Sequence, residues 1–339
     1  MKRKGYLFET LYSFENLHEA FKKAFRGSGR TEEACRFHFQ LETELLKLRE
    51  ELRSNTYQPA RYRYFKTFDP KERTISVAPF RDRVVHHGVV RVLEPVFEPT
   101  FIFDSYATRK GKGTHRAVKR AQKYMRSGFH YYKADIRKYF DSVDHNVLLG
   151  LVRRKIKDGK VLELVERIIR NNDVSRGLAH GKGLPVGNLT SQFFANVYLN
   201  PLDHFVKDQM GVKCYVRYMD DMVVFADSKA YLKGVMQELR MFLHDELKLS
   251  LNPRSTFLNS RRNGLPFLGF RIFPRLIRVK RENLKRVKGK LKGRKRELRE
   301  GLITEERFVM SVGSMFDHLS FANSFQLRSA ILSPGAGVG

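Results

Sequence analysis

Tryptophan is absent from the sequence, and cysteine occurs only twice, as Cys35 and Cys214. Two thiols without metal-motif spacing form neither a zinc cluster nor a disulfide framework, and they are typical of a reducing cytosol. No apolar run approaches the ~20 residues that span a bilayer. The N-terminal stretch is charged throughout and lacks the apolar region of a signal peptide. We therefore expect a cytoplasmic protein with no membrane partner.

Acidic residues are scarce relative to basic ones. The 339 residues include 65 Lys or Arg and 36 Asp or Glu, which gives a net charge of +29. Such an excess opposes a compact fold and predicts a polyanionic partner, with nucleic acid favoured over an anionic membrane surface. The apolar fraction of 42% and the aromatic fraction of 12% predict a folded core. At ~150 residues per domain, the length suggests two or three domains.

Apolar periodicity predicts several elements. Residues 1–55 are expected to be helical, with apolar residues at helical spacing over 31–53, and strands are expected within 57–77 around a turn at Asp69-Pro70. Thirteen of the 25 residues 275–299 are Lys or Arg, against two Glu. Leu284, Val287, Leu291 and Leu298 still mark one face of this stretch, so it predicts a basic helix over 276–300 that contacts phosphates. A solvated charged face is the alternative.

Two adjacent carboxylates stand out in this basic chain. Asp220 and Asp221 lie in a predicted turn between two apolar strands of residues 213–226, and Asp135 ends another predicted strand. Carboxylates that repel each other suggest a divalent cation, and hard oxygen ligands suit Mg²⁺, with Mn²⁺ as a substitute. Two such ions ~3.5–4 Å apart activate a 3′ hydroxyl and stabilise leaving pyrophosphate. A solvated β-turn is the alternative for the pair taken alone.

The segment TyrMetAspAsp at 218–221 resembles the signature hairpin of reverse transcriptases, and further blocks follow the order of that family. The strand that ends in Asp135 resembles the first catalytic motif. Residues 184–192 resemble the block beside the incoming nucleotide, 249–256 the following palm motif, and 265–270 the primer grip. The resemblance implies an α+β right-hand polymerase, with an antiparallel palm sheet, fingers and a helical thumb, that performs RNA-directed DNA synthesis.

The resemblance also implies a division of the chain. The expected parts, in chain order, are an N-terminal helical extension (1–60), fingers (61–130, with 146–190 as fingers or a palm insertion), palm (131–275), basic helical thumb (276–332) and a disordered tail (333–339).

Carried over by resemblance, Asp135, Asp220 and Asp221 are the catalytic carboxylates and metal ligands, and the main-chain carbonyl of Ile136 is a further ligand. Phe140, five residues after Asp135, is expected to be the steric gate that excludes a ribose 2′-OH. Ordinary core packing is the alternative for Phe140.

A triphosphate calls for basic side chains beside the metal. Lys66 and Arg73 lie seven residues apart across the predicted turn, and this spacing resembles the basic pair that holds the triphosphate in the family. Arg109 is a third candidate. For each of the three, a surface charge in the nucleic-acid groove is the alternative.

The block at 184–192 departs from the commonest form of the family. Val186 precedes Gly187, and Gln192 follows Ser191. This arrangement resembles the reverse transcriptases of diversity-generating retroelements, which copy a template RNA with frequent errors opposite adenine. Val186 offers only apolar contact where a glutamine would donate a hydrogen bond, which is worth ~0.5–1.5 kcal/mol or about tenfold in selectivity. That loss erodes fidelity but does not by itself select adenine.

The resemblance implies a template RNA, an RNA/cDNA duplex, dNTPs and a small basic accessory variability protein as partners, in a bacterial or phage setting. Within the same chemistry, a retron, group II-derived or phage-defence reverse transcriptase is the alternative. A terminal transferase or an RNA-dependent RNA polymerase also stays open. A catalytically idle RNA-binding scaffold is the alternative from another class.

Overall fold

A computed structural model describes residues 3–29, 31–68, 72–171 and 179–332. The predicted Asp69-Pro70 turn and the predicted tail at 333–339 lie outside these residues. The α-helices of the described residues are α1 (Phe8–Tyr12), α2 (Phe14–Arg26), α3 (Glu32–Phe39), α4 (Leu41–Arg53), α5 (Phe80–Phe97), α6 (Thr114–Ser127), α7 (Tyr139–Ser142), α8 (His145–Arg153), α9 (Gly159–Arg170), α10 (Leu189–His204), α11 (Lys229–Asp245), α12 (Arg281–Arg299), α13 (Glu305–Ser320) and α14 (Phe325–Leu332).

Within the same described ranges, the strands form three antiparallel sheets. They are β1 (Arg63–Thr67), β2 (Arg73–Val77), β3 (His130–Asp135), β4 (Tyr215–Tyr218), β5 (Asp221–Ala226), β6 (Phe257–Ser260), β7 (Leu265–Phe267), β8 (Phe270–Ile272) and β9 (Ile277–Val279). β1 pairs with β2 as an isolated hairpin, and β7, β8 and β9 form a second sheet. The central sheet has the order β4-β5-β3-β6.

The central sheet is buried on both faces. Tyr131 and Val223 lie on one face, in a core that includes residues of α6 and of the β7–β9 sheet. Tyr132 and Val224 lie on the other face, in the large core shared with α10 and α11. Because side chains alternate along a strand, each strand supplies both cores. The sheet is therefore a rigid platform whose end can hold reactive groups in fixed positions.

The helical stretch predicted over 31–53 is two helices. Gln40 adopts φ −111° and ψ 34°, which is outside the helical region, and it separates α3 from α4. The break lets Phe37 stack on Phe21 while α4 buries Leu45 and Leu48 in the same core. A single period through both segments cannot show this change of axis.

The predicted basic helix begins at residue 281 instead of 276. Residues 277–279 pair with β8, with Phe270 opposite Val279, so backbone hydrogen bonding to a sheet replaces helix there. Leu291 is buried with Leu319 and Ile331 in a separate small core of α12–α14. The predicted apolar stripe therefore does face the protein interior, and the charges of α12 lie outside it.

The mixed architecture of helices and antiparallel sheets agrees with the predicted α+β class. Within the described ranges, no helix combines the length and the apolar character needed to cross a bilayer.

Candidate active site

A tight hairpin connects β4 and β5. Tyr218 pairs with Asp221, so Met219 and Asp220 form a two-residue turn. Met219 has φ +56°, which matches the left-handed first position that such hairpins require. Asp221 is therefore the first residue of β5, whereas the sequence placed it within the turn. Its side-chain direction is consequently set by the pleat of the sheet.

Asp135 lies directly opposite Asp221 across the β3–β5 pair. Directly opposed residues in such a pair have Cβ atoms ~4.5–5.5 Å apart. Asn252 fixes Asp135 from the far side, since its backbone N–H donates to the Asp135 carbonyl at 2.7 Å and its side-chain amide donates to Oδ2 at 3.0 Å. Ile136, the next residue, is buried and bridges to Leu251. The structure thus brings together the three predicted carboxylates.

Burial and, to a smaller extent, the proximity of the other carboxylates perturb the ionisation of Asp220 and Asp221. Burial, followed by repulsion from Asp135 and Asp221, raises the pKa of Asp220 to about 6. Burial also raises the pKa of Asp221 to about 6, although the nearby Lys133 ammonium opposes the rise. The Lys133 Nζ lies 2.5 Å from Asp221 Oδ1, and both side chains are mostly buried. The site therefore concentrates negative charge that a cation would relieve.

The donor set fits a divalent cation with a preference for oxygen. Carboxylates from two elements lie at one sheet end, and Asp220 and Asp221 ionise fully only above about pH 6 unless a cation is bound. In the described part of the chain, no group of three or more carboxylate, imidazole or thiol side chains is arranged so that it could hold a metal ion. The Asp221 carboxylate instead pairs with Lys133. A cation would have to displace that ammonium from Asp221.

The predicted nucleotide block is bonded to the β1–β2 hairpin. The Ser76 N–H donates to the Val186 carbonyl at 2.8 Å, and the Asn188 side-chain amide donates to the Ser76 carbonyl at 3.2 Å. Gly187 has φ +109°, and a Cβ there would lie 2.9 Å from Ile75 Cγ2. Only glycine therefore fits this close approach. Val186 is half-buried beside it, and Gln192 is half-buried in the first turn of α10.

Two of the predicted basic residues lie on the β1–β2 hairpin. Lys66 pairs with Thr74, and Arg73 pairs with Thr67, so the two cations are at the same end of the hairpin. Lys66 forms an ion pair with Glu72 at 2.7 Å, with both side chains exposed. Exposed pairs of this kind are weak, typically ~0–1 kcal/mol, so Lys66 can exchange this partner for a phosphate. Arg73 is exposed.

Arg109 has a different environment from the one predicted. Its guanidinium makes a bidentate contact with Glu98, with Nη2 2.7 Å from Oε1, and the Arg109 side chain is only 7% exposed. Its Nη1 donates to the carbonyls of Ile102 and Ser105. These contacts hold the 102–109 loop, so Arg109 would have to release Glu98 before it could bind a nucleotide phosphate.

Phe140 is half-buried at the margin of the large core, with its ring centroid 5.6 Å from that of Tyr139. Its backbone carbonyl accepts a hydrogen bond from the Leu184 N–H at 2.7 Å. The segment after Asp135 is therefore tied to the start of the 184–192 block. The Phe140 side chain is therefore partly accessible from outside the core.

Several partners of the site were not identified in the sequence. Lys133 precedes Asp135 by two residues, so strand alternation alone could have placed both on one sheet face. Asn252 is distant in sequence and gives no comparable signal. Arg217 also contacts the hairpin. The alternation of side-chain direction along the strand 215–218 could have indicated that the Arg217 side chain enters the core.

An antiparallel sheet with aspartates converging at a hairpin, helices packed on its faces and a basic helical C-terminal unit define the right-hand polymerase fold. Residues 66–272 match the sequence profile of the family described as "Reverse transcriptase (RNA-dependent DNA polymerase)". This match covers more than half of the chain, and the chain therefore belongs to the reverse transcriptase family. The predicted fold class and the enzyme class, an RNA-directed DNA polymerase, are confirmed.

Named relatives refine this assignment. The protein YkfC of Escherichia coli K12 is 29% identical over 274 residues, which are 69% of this chain and 72% of YkfC. The group II intron-encoded protein LtrA of Lactococcus lactis subsp. cremoris is 25% identical over 320 residues, covering 75% of this chain and 53% of LtrA. The chain is thus homologous to group II intron proteins and spans about half the length of LtrA.

A solved structure supports the fold independently. The apo telomerase of Candida tropicalis superposes with a TM-score of 0.51 at 12% identity, covering 69% of this chain and 52% of the telomerase chain. At this identity the likeness concerns the fold alone.

We predict that Asp220→Asn stabilises the metal-free protein at neutral pH. The pKa of Asp220 is raised to about 6 from an ordinary 3.8, so the folded state binds more protons than the unfolded state between about pH 4 and pH 6. The free energy of unfolding of the wild type therefore falls as the pH rises through that window. Asparagine removes this loss, which is on the order of 2–3 kcal/mol at pH 7.5.

Urea unfolding in the presence of a chelator at pH 7.5 and pH 4 measures this effect. The gain should be present at pH 7.5 and absent at pH 4. Asp221→Asn is the matched control, and it should gain less because it also loses the Lys133 partner. An Asp220→Asn protein no more stable than the wild type at pH 7.5 would contradict the repulsive arrangement.

Proposed function

We propose that this chain extends a primer along a template RNA with dNTPs, and that Asp135, Asp220 and Asp221 are its catalytic carboxylates. The main support for this proposal is the register of the central sheet, which sets Asp135 opposite Asp221 and next to the turn that contains Asp220. In a chain with a net charge of +29, this is a concentrated negative site within an otherwise cationic protein.

The three carboxylates and the carbonyl of Ile136 would hold two Mg²⁺ ions, for which Mn²⁺ is a substitute. When bound, such ions activate the primer 3′ hydroxyl and stabilise the charge on the leaving pyrophosphate. Asn252 orients Asp135 through two hydrogen bonds. Lys133 balances the charge of Asp221 in the absence of a cation.

The incoming nucleotide is proposed to lie between the β1–β2 hairpin and residues 184–192. Lys66 and Arg73 supply cations for the triphosphate at one end of that hairpin. The backbone bond between Ser76 and Val186 joins the two segments, so the triphosphate site and the base-pair site are held in one unit. In this arrangement Phe140 faces the sugar and excludes a 2′-OH.

The proposed fingers, palm and thumb follow from these elements, with the thumb formed by α12–α14. Ten of the 19 residues of α12 are Lys or Arg, while Leu291 is buried against α13. A helix with this division between an inner apolar side and an outer cationic side contacts backbone phosphates and recognises duplex shape rather than sequence. The thumb would thus hold the RNA/cDNA duplex.

For the biological setting we propose a diversity-generating retroelement, with a template RNA and a small basic accessory variability protein as partners. Support comes from Val186, Gly187 and Gln192, whose arrangement resembles that family. Val186 is half-buried beside the hairpin and can give the nascent pair only apolar contact. The group II-derived alternative is supported by the homology to LtrA.

Primer extension with Mg²⁺ on an RNA template is expected for the wild type. Asp220→Ala should reduce the rate by on the order of 10³-fold, the scale at which electrostatic stabilisation of a transition state is lost. Glu238→Ala, which removes an exposed carboxylate of α11, is the matched control and should retain the wild-type rate. Extension by Asp220→Ala at the control rate would refute the proposed site.

Duplex binding should also weaken steeply as salt is added.

Phe140→Ala is expected to admit ribonucleotides. Removal of the ring opens space for a 2′-OH, so the ratio of kcat/KM for dNTP over the matching NTP should fall by at least about tenfold, as for other single-group steric discriminations. Phe39→Ala, which changes a 91% exposed ring on α3, is the control. An unchanged ratio in Phe140→Ala would assign Phe140 to core packing.

Val186→Gln is expected to restore a hydrogen bond to the nascent pair. Sequencing of cDNA made on a defined RNA should show wild-type substitutions concentrated opposite adenine, and the variant should reduce them by about tenfold. Uniform low error in the wild type, with or without a candidate accessory protein, would contradict the diversity-generating assignment. That outcome would favour the group II-derived alternative.

A further inference from the structure

An ion pair without any solvent exposure lies beneath the proposed catalytic turn. Arg217 of β4 and Asp203 of α10 both have side chains with 0% exposure. One edge of the guanidinium binds the carboxylate, with Nε 2.7 Å from Oδ1 and Nη2 2.6 Å from Oδ2. The Tyr215 hydroxyl donates to the same Oδ1 at 2.9 Å. Buried charges require such complete pairing.

The third nitrogen of the Arg217 guanidinium, Nη1, reaches the hairpin turn. It donates to the Met219 carbonyl at 3.1 Å and to the Asn196 side-chain oxygen at 3.2 Å. Met219 has φ +56°, a conformation that costs a non-glycine residue about 1–2 kcal/mol and persists only where neighbours fix it. The carbonyl that Arg217 holds is directly followed by Asp220.

The backbone of Arg217 is also fixed. Its N–H donates to the Asp104 carbonyl at 2.9 Å, and its carbonyl accepts from the Tyr106 N–H at 3.0 Å. β4 is the edge strand of the central sheet, and these bonds hold its outer side. Arg217 is therefore anchored to a loop, to α10 and to the turn at once.

The position of Arg217 separates it from any substrate. Arg217 pairs with Met222, whereas Asp221 pairs with Tyr218, so Arg217 and Asp221 point to opposite faces of the sheet. Any effect of Arg217 on the reaction must therefore pass through the backbone of the turn.

We propose that Arg217 is a positioning residue for DNA synthesis. Its guanidinium, fixed by Asp203, holds the Met219 carbonyl and thereby sets the positions of Asp220 and Asp221 relative to Asp135. The inference rests on the proposed function of the three aspartates. The effects of Arg217 on folding and on the reaction are therefore expected to be separable. Folding requires only that no buried charge is left unpaired, whereas the reaction requires the hydrogen bond to the Met219 carbonyl.

The test is the double variant Arg217→Met/Asp203→Leu. Replacing a buried ion pair by apolar residues of similar size often preserves stability, whereas Arg217→Met alone leaves Asp203 charged and unpaired and should lower Tm by on the order of 10 °C. The double variant should recover most of the Tm lost in Arg217→Met, although the Tyr215 hydroxyl and the Asn196 side-chain oxygen each lose a hydrogen-bond partner. Its kcat should stay about 100-fold low with KM for primer–template unchanged, since a displacement of ~1 Å at reacting groups costs about that factor.

Divalent binding gives a readout apart from activity. Mn²⁺ titration by electron paramagnetic resonance should show weaker binding by about tenfold in the double variant, as expected when one fixing hydrogen bond is lost. Tyr215→Phe is the matched control, because it removes a donor to Asp203 without touching the Met219 bond, and it should keep kcat and Mn²⁺ affinity within about twofold of the wild type.

Arg217→Lys keeps a buried cation beside Asp203 but lacks the planar fork, so it serves if the double variant does not fold. It should fold and lose about tenfold in kcat. A folded double variant, or a folded Arg217→Lys, with wild-type kcat and Mn²⁺ affinity would overturn the inference. Absence of primer extension by the wild type would instead refute the proposed function, and the Mn²⁺ comparison would still test the positioning role.

Discussion

The repulsion among three carboxylates at one end of the central sheet is the constraint around which the site is organised. Pairing of β3 with β5 sets Asp135 opposite Asp221, and the two-residue turn adds Asp220. Burial, together with this repulsion, raises the pKa values of Asp220 and Asp221. Removal of one of these charges is expected to stabilise the metal-free protein. Proteins retain destabilising arrangements of this kind where function requires them.

The surrounding contacts serve to hold these charges in place. Lys133 compensates Asp221, and Asn252 fixes Asp135 by its backbone and its amide. Beneath the turn, Arg217 and Asp203 form a buried pair that also reaches the Met219 carbonyl. The rigid sheet, the turn held by Arg217 and the ammonium of Lys133 together allow three like charges to lie close to one another. The same rigidity aligns reacting groups without reorganisation during the reaction.

Local patterns made the sheet and the location of its aspartates predictable, since alternation places strands and a turn places adjacent carboxylates. Long-range partners were not predictable in this way. Asn252 lies far in sequence from Asp135, and no local pattern connects the two residues. Glu98 belongs to no motif, so its ion pair with Arg109 could not be predicted from the loop that contains Arg109. The break at Gln40 and the strand at 277–279 likewise depend on tertiary packing that overrides helical periodicity.

We propose that Asp135, Asp220 and Asp221 jointly hold divalent cations against a growing DNA end. The most direct measurement counts Mn²⁺ bound to the complex of the full chain with an RNA–DNA duplex that has a dideoxy-terminated primer and the next dNTP. Two bound ions per chain are expected in the wild type, and Asp135→Asn is expected to lose tight binding. The same stoichiometry and affinity in Asp135→Asn as in the wild type would contradict this role of the three aspartates.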